Sequence, residues 1–136
     1  MRNKRNKSLA VIILASGVSK RIKKNVPKQY LKLHNKSLIE INIDKFKSLK
    51  YVAKIVLVVN KTHSKYYNNL KKKYLDIDFV VGSSTRQKSS FNGLLHIKKY
   101  EFVNVLIHDA ARPFVEGQLI NKLYKQLLLK KTAVIP

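Results

Sequence analysis

The sequence predicts an α/β fold, with a mostly parallel sheet and helices on both of its faces. Three observations carry this. Short β-branched apolar runs recur along the chain, each too short for a helix. Between them the apolar spacing changes to that of an amphipathic helix, and turn-forming residues stand where one pattern gives way to the other.

Ser8 to Leu14 (SLAVIIL) is the first run, stopping at a Gly-containing turn as a buried parallel strand does. Lys54 to Val59, Ile77 to Val81 and Val103 to Ile107 repeat the pattern, and Thr132 to Ile135 begins a fifth. Helical spacing appears at Ile39, Ile43 and Phe46, at Tyr66, Leu70 and Tyr74, and at Ile120, Leu123 and Leu127. Phe91, Leu94 and Leu95 mark one more helix, starting near Ser84 or Thr85, both suitable N-caps. The order βαβαβαβαβ calls for right-handed crossovers. At 136 residues the chain is read as one domain, 1–136, with a basic arm over residues 1–7 that is expected to be disordered.

The longest apolar stretch, Leu9 to Ala15, falls far short of the roughly 20 residues a membrane helix needs. The basic start is followed by no small-residue cleavage pattern, so a cytoplasmic location is expected. The chain has no cysteine, which excludes disulfides and thiolate metal sites. Its net charge of +22 favours anionic ligands: a nucleotide, a phosphorylated metabolite or nucleic acid. The lysines are scattered through every segment, with no reading helix and no row of stacking aromatics, so no specific nucleic-acid partner is expected. With only seven Asp and Glu, each acid is worth locating.

In a parallel sheet, ligands bind at the carboxyl ends of the strands, where loops and helix N-termini present backbone N–H groups to anions. Three strand-end loops carry unusual residues. After the first strand comes Ala15-Ser16-Gly17, then Arg21, then Pro27-Lys28-Gln29-Tyr30. Small residues there let a ligand approach the backbone, and Arg21 and Lys28 supply long cationic arms. The loop matches neither GxxxxGK[ST] nor GxGxxG. The second loop runs from Gly82 to Ser90 and is rich in hydroxyls. It reads equally as a helix cap or as a holder of base or ribose. The third, His108-Asp109-Ala110-Ala111-Arg112-Pro113-Phe114, places Asp109 at the end of a buried strand, suited to a metal ion or a substrate hydroxyl. Asp109 could instead pair with Arg112 to fix the turn. His108, its neighbour, should face the other way.

Taken in order, four motifs in these three loops, Ala15-Ser16-Gly17 through Arg21, Pro27-Lys28-Gln29-Tyr30, Gly82 to Ser89 and His108 to Phe114, resemble those of the 2-C-methyl-D-erythritol 4-phosphate cytidylyltransferase family; the resemblance runs from about Ala10 to Pro136, with HDAARPF most distinctive. The resemblance implies a Rossmann-like three-layer nucleotidyltransferase fold, truncated at its C-terminal side, that transfers CMP from CTP to a sugar-alcohol phosphate with release of pyrophosphate. It implies that Arg21 and Lys28 are catalytic, stabilising the transition state. Ala15, Ser16 and Gly17 would line the CTP site by backbone contacts, with Gly82 and Ser89 near the cytosine and Ala110 and Arg112 beside ribose and phosphates. Asp109 would hold Mg²⁺ or another divalent cation. The family forms homodimers through an arm expected beyond Pro136, together with further contacts to the acceptor.

Two departures stand out: Ser19 where the family usually has a second glycine, and Ser84-Thr85 where acids are common. A ribitol 5-phosphate cytidylyltransferase shares the PKQ and HDA-RPF motifs, though Ala111 favours the methylerythritol enzyme. A non-catalytic remnant that only binds nucleotide is the other alternative.

Overall fold

The computed structural model describes residues 8–18, 25–102, 104–130 and 135. Strand β1 (Leu9–Ala15) is followed by a 3-10 turn at Lys28–Tyr30 and a small hairpin, β2 (Lys32–Leu33) and β3 (Lys36–Ser37). Helix α1 (Leu38–Lys47), β4 (Val52–Val59), a 3-10 turn at Lys61–His63, and helix α2 (Ser64–Lys73) come next. Strand β5 (Asp78–Val81), α3 (Arg86–Lys98), β6 (Asn104–Asp109) and α4 (Gly117–Lys130) complete the order. Among the described residues the main sheet has four parallel strands in the order β5-β4-β1-β6. The expected arm over residues 1–7 lies outside the described residues. So does the expected fifth strand, apart from Ile135, which is not in a strand.

Alternation along the buried strands divides the core in two. Leu9, Val11, Ile13 and Ala15 of β1 join Ile55, Leu57 and Val59 of β4 on one face, against α1, α2 and α4. Ala10, Ile12 and Leu14 join Val56 and Val58 on the other, where Ile97 of α3 packs. Three layers result, as the sequence predicts. Burial on both faces makes β1 and β4 read as unbroken apolar runs.

Helix α1 starts at Ser37, whose hydroxyl accepts from the Glu40 N–H at 3.3 Å while the Glu40 carboxylate accepts from the Ser37 N–H at 2.8 Å. This capping box satisfies two donors that the first turn leaves open. Ile39, Ile43 and Phe46 are all fully buried, as their spacing requires.

Three expectations need correction. In α2 the buried face is Tyr67, Leu70 and, just past the helix end, Tyr74, a spacing of i, i+3, i+7; Tyr66 is turned aside onto Tyr30, with ring centroids 5.0 Å apart. Strand β6 runs two residues beyond Ile107, because its register with β1 continues to the Leu14–Asp109 pair. His108 and Asp109 are therefore strand residues, not loop residues.

The third correction is larger. Phe91, Leu94 and Leu95 do not face the sheet: they are exposed, Phe91 by 58%. Helix α3 docks instead through Ser89, Gly93 and Ile97, spaced i, i+4, i+8. A side chain on Gly93 would put its Cβ 2.9 Å from Ile12 Cγ2 and 3.2 Å from Val58 Cγ2, so this helix lies close against the strands. Close approach through small residues lifts the flanking large ones off the sheet.

The β2–β3 hairpin has no counterpart in the sequence reading. Its turn lacks an Asn-Gly or Asp-Gly pair, and His34 takes the left-handed conformation with φ at 56°.

Candidate functional site

A cavity of about 480 Å³ opens at the carboxyl ends of the strands. Strand β1 pairs with β4 on one side and β6 on the other, so the crevice lies where the chain switches direction across the sheet. Its size is that of a small-ligand site. The wall is built from the end of β1 and its loop (Leu14 to Val18), the turn residues Lys28 and Gln29, Asn60 after β4, Ser83 to Arg86 before α3, and Asp109, Ala111 and Arg112 after β6.

All three strand-end loops singled out in the sequence thus converge on one space. Ala15, Ser16, Gly17, Lys28, Asp109 and Arg112 line it. Arg21 lies outside the described residues, as does Ser19.

Gly82 and Ser89 sit in the wall behind the cavity rather than on its surface. The Gly82 N–H donates to the Val59 carbonyl at 2.8 Å, and a Cβ at Gly82 would stand 2.6 Å from Ser16 Cβ and 2.8 Å from Ser89 Oγ. Only glycine fits there without displacing both serines. Ser89 is buried, and its hydroxyl accepts from the Ser83 N–H and from Ser16 Oγ, each at 2.9 Å. The two residues join the first loop to the second, while Ser83 and Ser84 present themselves to the cavity.

Ala110 is fully buried, and it is Ala111 that faces the cavity. The Ala110 N–H donates to the Leu14 carbonyl at 2.9 Å, and its carbonyl accepts from Asn42 Nδ2 at 2.8 Å. Both backbone groups of Ala110 are consumed in holding the third loop against β1 and α1.

His108 faces away from the cavity, as alternation requires, with its ring 5.3 Å from that of Phe46. Its Nε2 lies 3.0 Å from Asn42 Oδ1 and 2.8 Å from the Arg112 carbonyl. Because Asn42 uses its amide nitrogen on the Leu38 and Ala110 carbonyls, both neighbours of Nε2 are acceptors, and Nε2 must carry the proton. Burial lowers the His108 pKa, against the opposing pull of the Arg112 carbonyl, and so favours the neutral ring. His108 is a brace for the Asp109–Arg112 turn.

Among the described residues Asp109 is the one carboxylate on the cavity wall. Among the described residues its nearest cation is one to which the sequence assigns no role: Arg86 Nε stands 3.0 Å from Asp109 Oδ1, against 3.7 Å for Arg112 Nε and Oδ2. Arg86 comes from the first turn of α3, and no local spacing signals a partner 23 residues away. Among the described residues no three His, Asp or Glu side chains gather as a metal cage. A lone carboxylate beside two guanidiniums suits a Mg²⁺ ion only when a ligand brings phosphate oxygens of its own. Lys28, Arg86 and Arg112 around this single acid make the cavity a receptor for anions.

A family model for IspD, 2-C-methyl-D-erythritol 4-phosphate cytidylyltransferase, matches residues 9–136. The chain belongs to that family. It is 46% identical over 125 residues to the bifunctional enzyme IspD/IspF of Pelagibacter ubique, covering 92% of this chain and 33% of that one. It is 36% identical over 113 residues to the 2-C-methyl-D-erythritol 4-phosphate cytidylyltransferase of Thermosipho melanesiensis, covering 80% and 49%. Among solved structures it resembles the 4-diphosphocytidyl-2C-methyl-D-erythritol synthase of Anaerococcus prevotii, with a TM-score of 0.75, 28% identity, and 93% of this chain against 53% of that one. The bifunctional IspDF of Campylobacter jejuni gives the same TM-score and identity, with coverage of 88% and 30%. The chain spans about half the length of the IspD relatives it matches, and about a third of the bifunctional ones. The described residues of the four motifs that suggest the IspD family in the sequence meet around the cavity or in the wall behind it.

Proposed function

We propose that this chain supplies the CTP-binding half of an enzyme that transfers CMP from CTP to 2-C-methyl-D-erythritol 4-phosphate and releases pyrophosphate. The observation that carries this reading is the convergence of the β1, β5 and β6 loops on one cationic cavity in a chain of the IspD family. Backbone groups of Ala15 to Gly17 and the Ser83–Ser84 segment form one wall for the nucleotide, braced from behind by Gly82 and Ser89. Lys28 and Arg112 face the phosphates, with Arg21 assigned beside Lys28 from its place in the motif.

Nucleotidyl transfer asks the protein for positioning and for charge stabilisation more than for covalent chemistry. As the acceptor's phosphate oxygen attacks the α-phosphorus, negative charge grows on the α-phosphate and on departing pyrophosphate. Cations fixed at those points stabilise the transition state beyond the ground state. Asp109 is the residue that would hold Mg²⁺ together with the phosphates, and such an ion adds Lewis-acid charge neutralisation. Arg86 Nε pairs with the same carboxylate at 3.0 Å. No described helix is long and apolar enough to cross a membrane, and a cytoplasmic location is part of this proposal.

The test is an assay of pyrophosphate release from CTP, with 2-C-methyl-D-erythritol 4-phosphate as acceptor, in the full-length protein. Arg21→Ala and Lys28→Ala should each lower kcat by about 100-fold or more while weakening CTP binding far less. Near-normal turnover in both variants would sink the assigned mechanism.

A further inference from the structure

Three successive carbonyls at the end of β1 are held by side-chain amides from elsewhere in the chain. Gln29 Nε2 donates to the Ala15 carbonyl at 2.8 Å and to the Gly17 carbonyl at 2.9 Å. Asn60 Nδ2 donates to the Ser16 carbonyl at 3.1 Å. In extended backbone, alternate carbonyls point to opposite sides, so one amide takes the first and third and the other takes the second.

Neither amide can be turned around. A reversed Gln29 would set its oxygen against two carbonyl oxygens. Asn60 Oδ1 already accepts from the Thr62 N–H at 3.0 Å and the Thr62 hydroxyl at 2.8 Å, which leaves its nitrogen for Ser16. Both residues are themselves fixed. Gln29 is only 3% exposed and sits in the 3-10 turn closed by Tyr30 N–H to Pro27 carbonyl at 2.9 Å. The next residue, Tyr30, is buried and stacked on Tyr66. Asn60 stands at the end of β4.

In a trans peptide the N–H points opposite the carbonyl. Fixing the carbonyls of Ala15, Ser16 and Gly17 therefore fixes the directions of the N–H groups of Ser16, Gly17 and Val18. Those residues line the cavity. Backbone N–H groups held in preset directions, here those of Ser16 and Val18 on the side away from Gln29, are a means of gripping phosphate without any charged side chain. We infer that Gln29 and Asn60 are positioning residues, a two-sided clamp that presets the backbone of residues 15–18 for the phosphates of the nucleotide. The inference rests on the nucleotide-transfer reading above. It explains why a glutamine follows Lys28: the lysine offers charge to the cavity, and its neighbour sets the loop opposite.

The test uses Gln29→Met, which keeps the length and apolar bulk but removes both donors, and Asn60→Ala as the second arm. Binding of CTP with Mg²⁺ and of inorganic tripolyphosphate is measured by calorimetry. The ¹H–¹⁵N spectrum of the ligand-free chain is recorded alongside. The clamp predicts about tenfold or more weaker binding of both ligands to folded Gln29→Met, as expected when the buried Ala15 carbonyl and the part-buried Gly17 carbonyl lose the donor that sets the loop. It also predicts shifted Ser16, Gly17 and Val18 amide signals before any ligand is added. Asn60→Ala should move Gly17 most and cost less affinity. If the signals of residues 16–18 stay in place, or if folded Gln29→Met binds both ligands as wild type does, the clamp is wrong. Failure of the wild-type chain to bind CTP at all would instead count against the proposed function, while the spectra would still decide whether the clamp exists.

Discussion

The two faces of the sheet are covered by different physics. On one, α1, α2 and α4 bury a broad set of large side chains, among them Ile39, Ile43, Phe46, Tyr67, Leu70 and Ile120. On the other, α3 is the one helix among the described residues, touching β1 and β4 through Ser89, Gly93 and Ile97. That helix is fastened at its two ends by polar contacts. Near its start, Ser89 meets Ser16 and Ser83; at its far end, His96 and Tyr100 hold the carboxylate of Asp78, which also pairs with Lys54 at 2.6 Å. The thick face supplies stability by burial, and the thin face supplies a close approach that carries Ser89 under the loop that follows β1.

If the contrast is right, the largest loss of stability comes from the thick face. Phe46→Ala removes a fully buried ring and should cost about 3–5 kcal/mol, read as a lower urea midpoint at unchanged slope.

Acid should act on the thin face. Burial by itself would raise the Asp78 pKa, but Lys54, Tyr100 and His96 together outweigh it and hold the group at about 2. A carboxylate held below its ordinary value of 3.8 contributes stability that is complete above that pH and is lost as pH falls toward about 2. The contribution is on the order of 2 kcal/mol. Asp78→Asn should therefore flatten the fall in stability between pH 4 and pH 2 seen in the wild type, as followed by urea unfolding at each pH.

Gly93→Leu sharpens the comparison further. There is no room beside Ile12 for a side chain, and overpacking of this kind costs about 1–3 kcal/mol. Since α3 must back away from β1, the variant should also weaken CTP binding through the Ser16–Ser89 contact. The smallest effect belongs to Phe91→Ser on the outer side of the same helix, expected within about 0.5 kcal/mol of wild type. A cost near that of Phe46→Ala would show that α3 buries the face it presents to solvent here.

These residues also show what the sequence could tell. The strands were legible because burial on both faces leaves unbroken runs such as Leu9–Ala15 and Ile55–Val59. Helix α1 was legible because three of its four buried residues, Ile39, Ile43 and Phe46, are large, apolar and at helical spacing. Helix α3 inverted that rule: Phe91, Leu94 and Leu95 gave the stronger periodic signal, while Ser89 and Gly93, which do the packing, carry almost no hydrophobicity. In α2 the two adjacent tyrosines, Tyr66 and Tyr67, could not be told apart by period alone.

For the site, loop position and residue type brought Ala15 to Gly17, Lys28, Asp109 and Arg112 to one cavity. Ala110, Gly82 and Ser89 lie behind its wall instead, because backbone pairing and close packing, rather than exposure, fix them. Arg86, Gln29 and Asn60 went unassigned for a common reason. Their partners are 12 to 44 residues away in the chain, and only the register of the sheet brings them together.

The central claim is that the carboxyl ends of these strands form a cytidine nucleotide site. Calorimetric titration of the chain with CTP, ATP, GTP and UTP, each with Mg²⁺, tests it most directly. The account predicts one site that takes CTP in preference to the other three. Equal binding of all four nucleotides, or no measurable binding of any, would contradict it.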